Sequence, residues 1–123
     1  MYNKKESTED YLEKILLAKE EYPSLRAIDL AHYIHYSKAS VSIALKKLKD
    51  QGLVIVNEND GEISLTPKGL KIAQETLDRH ITLTKAFVAL GVDKLTAEND
   101  ACKIEHLLSE KTFACIKEKM KKI

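Results

Sequence analysis

A cysteine, a glutamate and a histidine lie close together near the C-terminal end of the chain. Cys102, Glu105 and His106 stand at positions i, i+3 and i+4. At about 100° per residue, this spacing places all three side chains on one narrow face of a helix. Thiolate, carboxylate and imidazole are all ligands of divalent transition metals. The spacing therefore predicts half of a metal coordination sphere, although cysteine is also a common buried hydrophobe and Glu–His pairs are common on solvated faces.

Two other segments contain further candidate ligands. Asp10 and Glu13 stand three residues apart, on one face of the first predicted helix. Asp10 could instead be the capping partner of Ser7. His80 lies beside the apolar stripe of a long predicted helix, where a histidine is more often a core residue than a ligand. Together with the C-terminal triplet, these residues form a candidate set of three carboxylates, two imidazoles and one thiolate.

The composition is that of a globular protein with one core or two small lobes. The chain has 123 residues, 44% hydrophobic and 32% charged, and a net charge of +1. A surface for nucleic acid must therefore be a local patch. The sequence has no apolar run of membrane-spanning length and no signal-peptide core, so a cytoplasmic protein without a membrane partner is expected. In a reducing compartment its two cysteines should be thiols.

Apolar spacing, capping residues and turn residues predict the order of the structural elements. The helix that follows Thr66-Pro67 is long for a small domain, so we expect it to join two lobes. The fold class predicted is mostly α with a small β-hairpin. The predicted helices cover residues 7–21, 26–33, 38–51, 67 to about 90, 96–108 and 109–121, and the predicted strands cover 53–56 and 63–66.

The third predicted helix has the features of a recognition helix. Three helices followed by a hairpin is the order of a winged helix-turn-helix, whose third helix enters the major groove of DNA. Short hydroxyl side chains allow a close approach to base edges, and lysines contact phosphates. An ordinary amphipathic helix with a solvated basic face is the alternative. The candidate DNA-binding residues are Ser37, Lys38, Ala39, Ser40, Ser42, Lys46 and Lys47.

The hairpin tip differs from a typical DNA-binding wing. Residues 57–62 include Glu58, Asp60 and Glu62, and this acidic segment would be repelled by phosphates. We therefore expect the wing to contribute little to DNA affinity.

The chain resembles the metal-dependent repressors of the diphtheria toxin repressor and manganese transport regulator family. The resemblance covers nearly the whole chain and is carried by Thr8-Glu9-Asp10-Tyr11-Leu12-Glu13, the helix after Ser37, Leu65-Thr66-Pro67-Lys68-Gly69, Arg79-His80 and Asp100-Ala101-Cys102-Lys103-Ile104-Glu105-His106. It implies an N-terminal winged helix-turn-helix domain over residues 1–70 and a C-terminal helical metal-binding and dimerisation domain over residues 71–123. It also implies that the metal ligands are Asp10, Glu13, His80, Cys102, Glu105 and His106.

The resemblance further implies a function and partners. The expected protein is a transcriptional repressor that controls manganese or iron homeostasis, with no catalytic residues. Its expected cofactor is Mn²⁺ or Fe²⁺, with one or two ions per subunit, and its expected partner is a palindromic operator in double-stranded DNA. Asp10 and Glu13 resemble the manganese regulators, whereas Cys102 resembles the iron regulators. Glu98 stands where the iron repressors place a histidine of an ancillary site.

Apolar residues of the last helices exceed what a small lobe can bury, and we expect them to form a homodimer interface. These residues are Phe87, Leu90, Val92, Leu95, Leu107, Leu108, Phe113 and Ile116.

Two other functions are compatible with the residues. A thiol redox switch on the same scaffold would use Cys102 or Cys115, but carboxylates beside Cys102 disfavour the reactive thiolate, and packing is the expected role of Cys115. A metal-dependent hydrolase would need an open coordination position, a general base and a substrate pocket. The sequence contains no Gly-rich loop and no nucleophile motif that would favour the hydrolase.

Overall fold

The computed structural model consists of six helices and a two-stranded hairpin over the residues that it describes, which are 4–122 for the backbone and 8–122 for the side chains. The predicted fold class, mostly α with a small hairpin, is confirmed. The chain divides into two compact units, Met1–Gln74 and Glu75–Ile123. The elements are α1 (Lys4–Glu21), α2 (Ala27–Ile34), α3 (Lys38–Asp50), β1 (Val54–Val56), β2 (Ile63–Leu65), α4 (Pro67–Ala89), α5 (Lys94–Ile104) and α6 (Glu110–Met120).

The first unit packs three helices and the hairpin around one core. The strands are antiparallel, with Val54 opposite Leu65 and Val56 opposite Ile63. The apolar residues that are buried in these helices recur at helical spacing in the sequence. The apolar pattern therefore predicts the positions of these helices correctly. The largest fully buried side chains of this unit are Leu12, Ile15, Leu25, Leu30, Val41 and Ile63.

Local signals set both ends of α3. Ser37 is the N-cap, and its hydroxyl oxygen accepts a hydrogen bond from the Ser40 amide at 3.1 Å. Gly52 has a φ of 74°, a left-handed conformation that ends helices at little steric cost when the residue is glycine. The predicted cap and stop are therefore confirmed, with the helix ending at Asp50.

The first helix begins earlier than predicted. It starts at Lys4, so the interpretation of Ser7 as its N-cap is wrong, and Asp10 lies within the helix. The side chain of Ser7 lies outside the described side chains. Lysine and glutamate have favourable helix propensities, and Lys4, Lys5 and Glu6 therefore extend the helix through a residue that favours caps.

Polar side chains of the acidic hairpin tip accept hydrogen bonds from backbone amides of the turn. Asn57 Oδ1 accepts a hydrogen bond from the Asn59 amide at 2.8 Å, and Asp60 Oδ1 accepts one from the Glu62 amide at 2.9 Å. Lys19 Nζ donates to the Ile63 carbonyl at 2.6 Å and lies 3.5 Å from Glu62 Oε2. The tip residues thus shape the turn, and Lys19 joins the hairpin to α1.

The start of α4 approaches the start of the hairpin very closely. Thr66 Oγ1 accepts a hydrogen bond from the Gly69 amide at 3.1 Å, and its hydroxyl donates to the Gly52 carbonyl at 2.8 Å. A methyl group on Gly69 would overlap the carbonyl oxygen of Leu53. Only glycine permits this approach without a shift of the backbone.

We expect Gly69→Ala to lower the free energy of unfolding by about 1–3 kcal/mol, because the added methyl group must push α4 away from Leu53. Chemical denaturation measures this change. The matched control is Lys68→Ala on the neighbouring exposed residue, which should change stability by less than about 0.5 kcal/mol. Equal stabilities of the two variants would contradict the close approach.

The second unit departs from the predicted helix limits and from the predicted apolar stripe of α4. The apolar spacing of α4 predicts a stripe that includes Ile81 and Val88, but these residues are 43% and 45% exposed, whereas Leu83, outside the predicted stripe, is buried. The helix predicted to reach Leu108 ends at Ile104. Asp93 caps the start of this helix, and hydrogen bonds from the Thr96 backbone and side chain hold the pKa of its carboxyl group below the usual range.

No helix within the described part of the chain combines the length and apolarity that a membrane span requires.

Candidate metal centre and nucleic-acid interface

Glu105 is a fully buried carboxylate at the C-terminal end of α5. Burial of an ionised carboxylate costs several kcal/mol unless cations or hydrogen bonds compensate for the lost hydration. The neighbours of this side chain therefore decide whether its burial is structural or serves a ligand.

Two imidazoles of the same unit flank the Glu105 carboxylate. His80 Nδ1 lies 2.8 Å from Glu105 Oε2, which is hydrogen-bond distance. His106 Nε2 lies 3.4 Å from Glu105 Oε1, and the His106 side chain is only 5% exposed. Among the described residues, no donor makes a hydrogen bond to Oε1, so the His106 contact lacks hydrogen-bond geometry. One oxygen of a buried carboxylate thus lies beside an imidazole nitrogen without sharing a well-formed hydrogen bond.

This arrangement fits the ligation of a divalent transition metal. Consider two ligand atoms that each lie about 2.1 Å from the same ion, with a ligand–ion–ligand angle of about 90°. The distance between these two atoms is then about 3 Å. The two nitrogen–oxygen distances, 2.8 Å and 3.4 Å, lie on either side of that value. Cys102 is exposed, and its Sγ lies within 4.8 Å of a Glu105 carboxylate oxygen. The second unit by itself therefore offers imidazole, carboxylate and thiolate donors in one place.

The turn after α5 corrects the expectation that Cys102, Glu105 and His106 share a regular helix. The Glu105 amide still donates to the Ala101 carbonyl at 2.9 Å, but His106 lies in the following turn. The last carbonyls of a helix lack partners within the helix. Here Arg79 supplies the donor for the Glu105 carbonyl, so the chain can leave the helix at this point.

The first unit presents its two candidate ligands on α1. Asp10 is half-buried and Glu13 is buried. The pKa of Tyr11 is raised, mainly by burial and to a smaller extent by electrostatic interactions with Tyr36 and Asp10. This unit thus offers two carboxylates, three residues apart, and their assignment as metal ligands stays a prediction.

The other candidate residues of the second unit are near the surface. Glu98 Oε1 lies 4.0 Å from Lys94 Nζ, a weak pairing on the surface of α5. Cys115 is exposed in the single chain, and its expected packing role stays a prediction. Helix α6 buries none of its residues fully, which agrees with the expectation that the apolar residues of the last helices exceed what this unit can bury.

The exposed face of α3 carries the candidate DNA-binding residues. Its apolar stripe, Val41, Leu45 and Leu48, is buried in the first unit. Sequence reasoning missed Ile43, which is 59% exposed, because it looked for short side chains and lysines on this face and not for a large apolar one. The sequence pattern contained this information, because the helical spacing of Val41, Leu45 and Leu48 places Ile43 on a different face of α3. The predicted residues Ser37, Lys38, Ala39, Ser40, Ser42, Lys46 and Lys47 are all exposed.

The helix-turn-helix, the hairpin and the exposed face of α3 define a DNA-binding regulator with a second, ligand-rich unit. Comparison with family models agrees. The iron-dependent repressor N-terminal DNA-binding domain matches residues 5–61, and the iron-dependent repressor metal-binding and dimerisation domain matches residues 66–123.

Two relatives match most of the chain. It is 38% identical over 120 residues to an uncharacterised HTH-type transcriptional regulator of Methanocaldococcus jannaschii, covering 95% of this chain and 94% of that protein. It is 34% identical over 111 residues to the transcriptional regulator MntR of Escherichia coli, covering 90% and 71%. The chain belongs to the iron-dependent repressor family, the family of the diphtheria toxin repressor and MntR, and is a metal-dependent transcriptional repressor rather than an enzyme.

A solved structure supports the same family. A manganese-dependent transcriptional repressor in complex with manganese is similar with a TM-score of 0.76 at 29% identity, over 93% of this chain and 52% of that one. The present chain therefore spans about half the length of that repressor.

Proposed function

We propose that this repressor senses Mn²⁺ or Fe²⁺ and that the ion is a co-repressor required for operator binding. The observation that carries the proposal is the buried Glu105 carboxylate between the imidazoles of His80 and His106, in a chain whose other unit binds DNA. A divalent cation would compensate for the hydration that this carboxylate loses on burial. Binding of the cation would therefore be linked to the conformation of the repressor.

The proposed ligand set takes residues from both units. Without a cation, the carboxylates would repel one another and lose hydration on coming together. Ligation by residues of both units would remove that repulsion and restrict the recognition helix to one arrangement. The donor chemistry of each unit and the family resemblance support this set, which is Asp10, Glu13, His80, Cys102, Glu105 and His106, with one or two ions per subunit.

We infer that manganese is the cognate ion. Three of the proposed ligands are carboxylates, and hard oxygen donors suit Mn²⁺, whereas only Cys102 favours softer ions. The relatives named MntR and the manganese-bound repressor structure support the same choice. Iron is the competitor, because the thiolate is a feature shared with the iron regulators.

A homodimer completes the proposal. In the described part of the second unit, the fully buried hydrophobic side chains are Leu83, Ala97 and Ala101, a small core. By contrast, Leu90, Leu95 and Leu107 are 81%, 69% and 65% exposed. A second copy would cover this apolar surface, in keeping with the family's dimerisation domain. Two-fold symmetry would then match two recognition helices to a palindromic operator.

An anaerobic operator-binding titration with Mn²⁺, Fe²⁺, Co²⁺ and Zn²⁺ tests the function. We expect operator binding to require a divalent ion and to be reversed by a chelator. The concentration of Mn²⁺ that it requires should fall within the range of concentrations required of the other ions. Binding that ignores both metal and chelator would overturn the proposal. A response to peroxide alone would instead favour a thiol switch.

Substitutions in α3 should separate phosphate contacts from base reading. Lys46→Ala and Lys47→Ala should weaken binding to every sequence and reduce the salt slope by about 0.9 per lost contact. Ile43→Ala should instead weaken operator binding selectively, because an exposed apolar side chain suits a thymine methyl group. Binding to operator and random DNA at several salt concentrations measures both effects.

Lys111→Ala, at an exposed lysine of the second unit, controls for the loss of a positive charge. Identical behaviour of Ile43→Ala and Lys46→Ala would contradict this placement of α3 in the groove.

A further inference from the structure

A single nitrogen of Arg79 holds the turn between α5 and α6. Arg79 Nη1 donates hydrogen bonds to the carbonyl oxygens of Glu105, at 3.1 Å, and Leu108, at 2.7 Å. Both carbonyls follow the last helical residue of α5, where backbone acceptors lack helical partners. One donor group from α4 therefore fixes both ends of the turn.

Arg79 is itself held in place from α6. Its guanidinium carbon lies 5.1 Å from the centroid of the Phe113 ring, a cation–π contact. Lys117 Nζ lies 5.9 Å from the same centroid and forms an ion pair with Asp78. The arginine thus has a restricted conformation, and its hydrogen bonds to the turn require little further ordering.

The turn held by Arg79 carries two of the proposed ligands. Glu105 and His106 belong to it, and His80 is the next residue after Arg79 on α4. The backbone of Glu105 is fixed on one side by the Ala101 carbonyl and on the other by Arg79. A permanent positive charge near a cation site opposes cation binding, so the electrostatic effect of Arg79 alone would be unfavourable.

We propose that Arg79 is a positioning residue for the metal response. It holds the backbone of Glu105 and the following turn, so that the ligand atoms of Glu105 and His106 are directed to one point beside His80 before an ion binds. Outer partners that orient metal ligands typically change metal affinity by about 10-fold to 100-fold when removed. The proposal rests on the proposed function for its effect on metal affinity, but the order of the turn can be measured in the metal-free protein.

The test compares Arg79→Gln, Arg79→Lys and Lys117→Gln. Hydrogen exchange of the Glu105 and Leu107 amides in the metal-free protein reports on the order of the turn, since both amides donate to α5 carbonyls. Mn²⁺ affinity is measured separately by paramagnetic resonance. For Arg79→Gln we expect faster exchange at the turn and a dissociation constant raised by about 10-fold to 100-fold. Arg79→Lys keeps the charge and should recover part of the affinity.

Lys117→Gln is the matched control, because it removes the other cation beside Phe113 without touching the turn. It should leave hydrogen exchange at the turn unchanged and should not weaken Mn²⁺ binding. Loss of charge alone would tighten cation binding, which is the opposite sign to the proposed effect. If Arg79→Gln binds Mn²⁺ as well as or better than the wild type, or leaves exchange at the turn unchanged, the positioning role is wrong and the proposed function stands.

Absence of metal binding in the wild type would overturn the proposed function instead. If Arg79→Gln does not fold, Arg79→Met, which keeps an unbranched side chain without a donor, provides the comparison, and wild-type exchange with wild-type affinity in that variant overturns the positioning role.

Discussion

Glu105→Gln is expected to eliminate metal-stimulated operator binding while leaving the protein folded. The glutamine amide has the size of the carboxylate, so it fills the space of the buried Glu105 side chain without leaving a cavity. It lacks the negative charge that makes the carboxylate a ligand, and we expect Mn²⁺ affinity to fall by at least about 100-fold, beyond the range seen when outer partners are removed. Metal-dependent operator binding and direct Mn²⁺ titration measure the two consequences.

The stability of the metal-free Glu105→Gln variant separates this role from a packing role. A buried charge is removed, the amide can still form the hydrogen bond to His80, and no apolar contact is lost, so the free energy of unfolding should not fall. Glu118→Gln, at an exposed glutamate of α6, controls for the change in net charge and should respond to metal like the wild type. A Glu105→Gln protein with a normal metal response would show that this carboxylate is not a ligand.

Cys102→Ser is expected to change which ions the protein binds. Thiolate binds Zn²⁺, Co²⁺ and Fe²⁺ more favourably than it binds Mn²⁺, so the variant should lose about tenfold or more in affinity for the first three and much less for Mn²⁺. Cys102 is exposed, and the substitution should therefore cost less than about 0.5 kcal/mol of stability. Competition titrations with the four ions under anaerobic conditions give the affinities.

Cys115→Ser is the matched control for Cys102→Ser, since Cys115 is the other exposed thiol. It should leave all four affinities unchanged. Equal losses for all ions in Cys102→Ser would contradict thiolate ligation. Loss of a peroxide response in either variant, without a change in metal affinity, would support the redox alternative.

Local sequence signals accounted for most of the helices and for the hairpin. Ser37 accepts the amide of Ser40, and Gly52 adopts a left-handed conformation, both within a few residues of the ends of α3. Because capping and turn formation depend on neighbouring residues, they could be predicted without knowing the tertiary structure. Ser7 was the exception, since the favourable propensity of the preceding residues extended α1 past it.

The amino-acid sequence by itself determined the element order, the buried stripe of α3 and the presence of candidate metal ligands, because these follow from residue type and short-range periodicity. At the end of α5, the donor for the Glu105 carbonyl is Arg79, which lies 26 residues away along the chain. The contact between His80 and Glu105 is separated by 25 residues. Only tertiary packing brings such distant groups together, and no local propensity encodes a distance between side chains on different helices. For the same reason, the full burial of the Glu105 carboxylate beside His80 and His106 could be read from the folded chain alone.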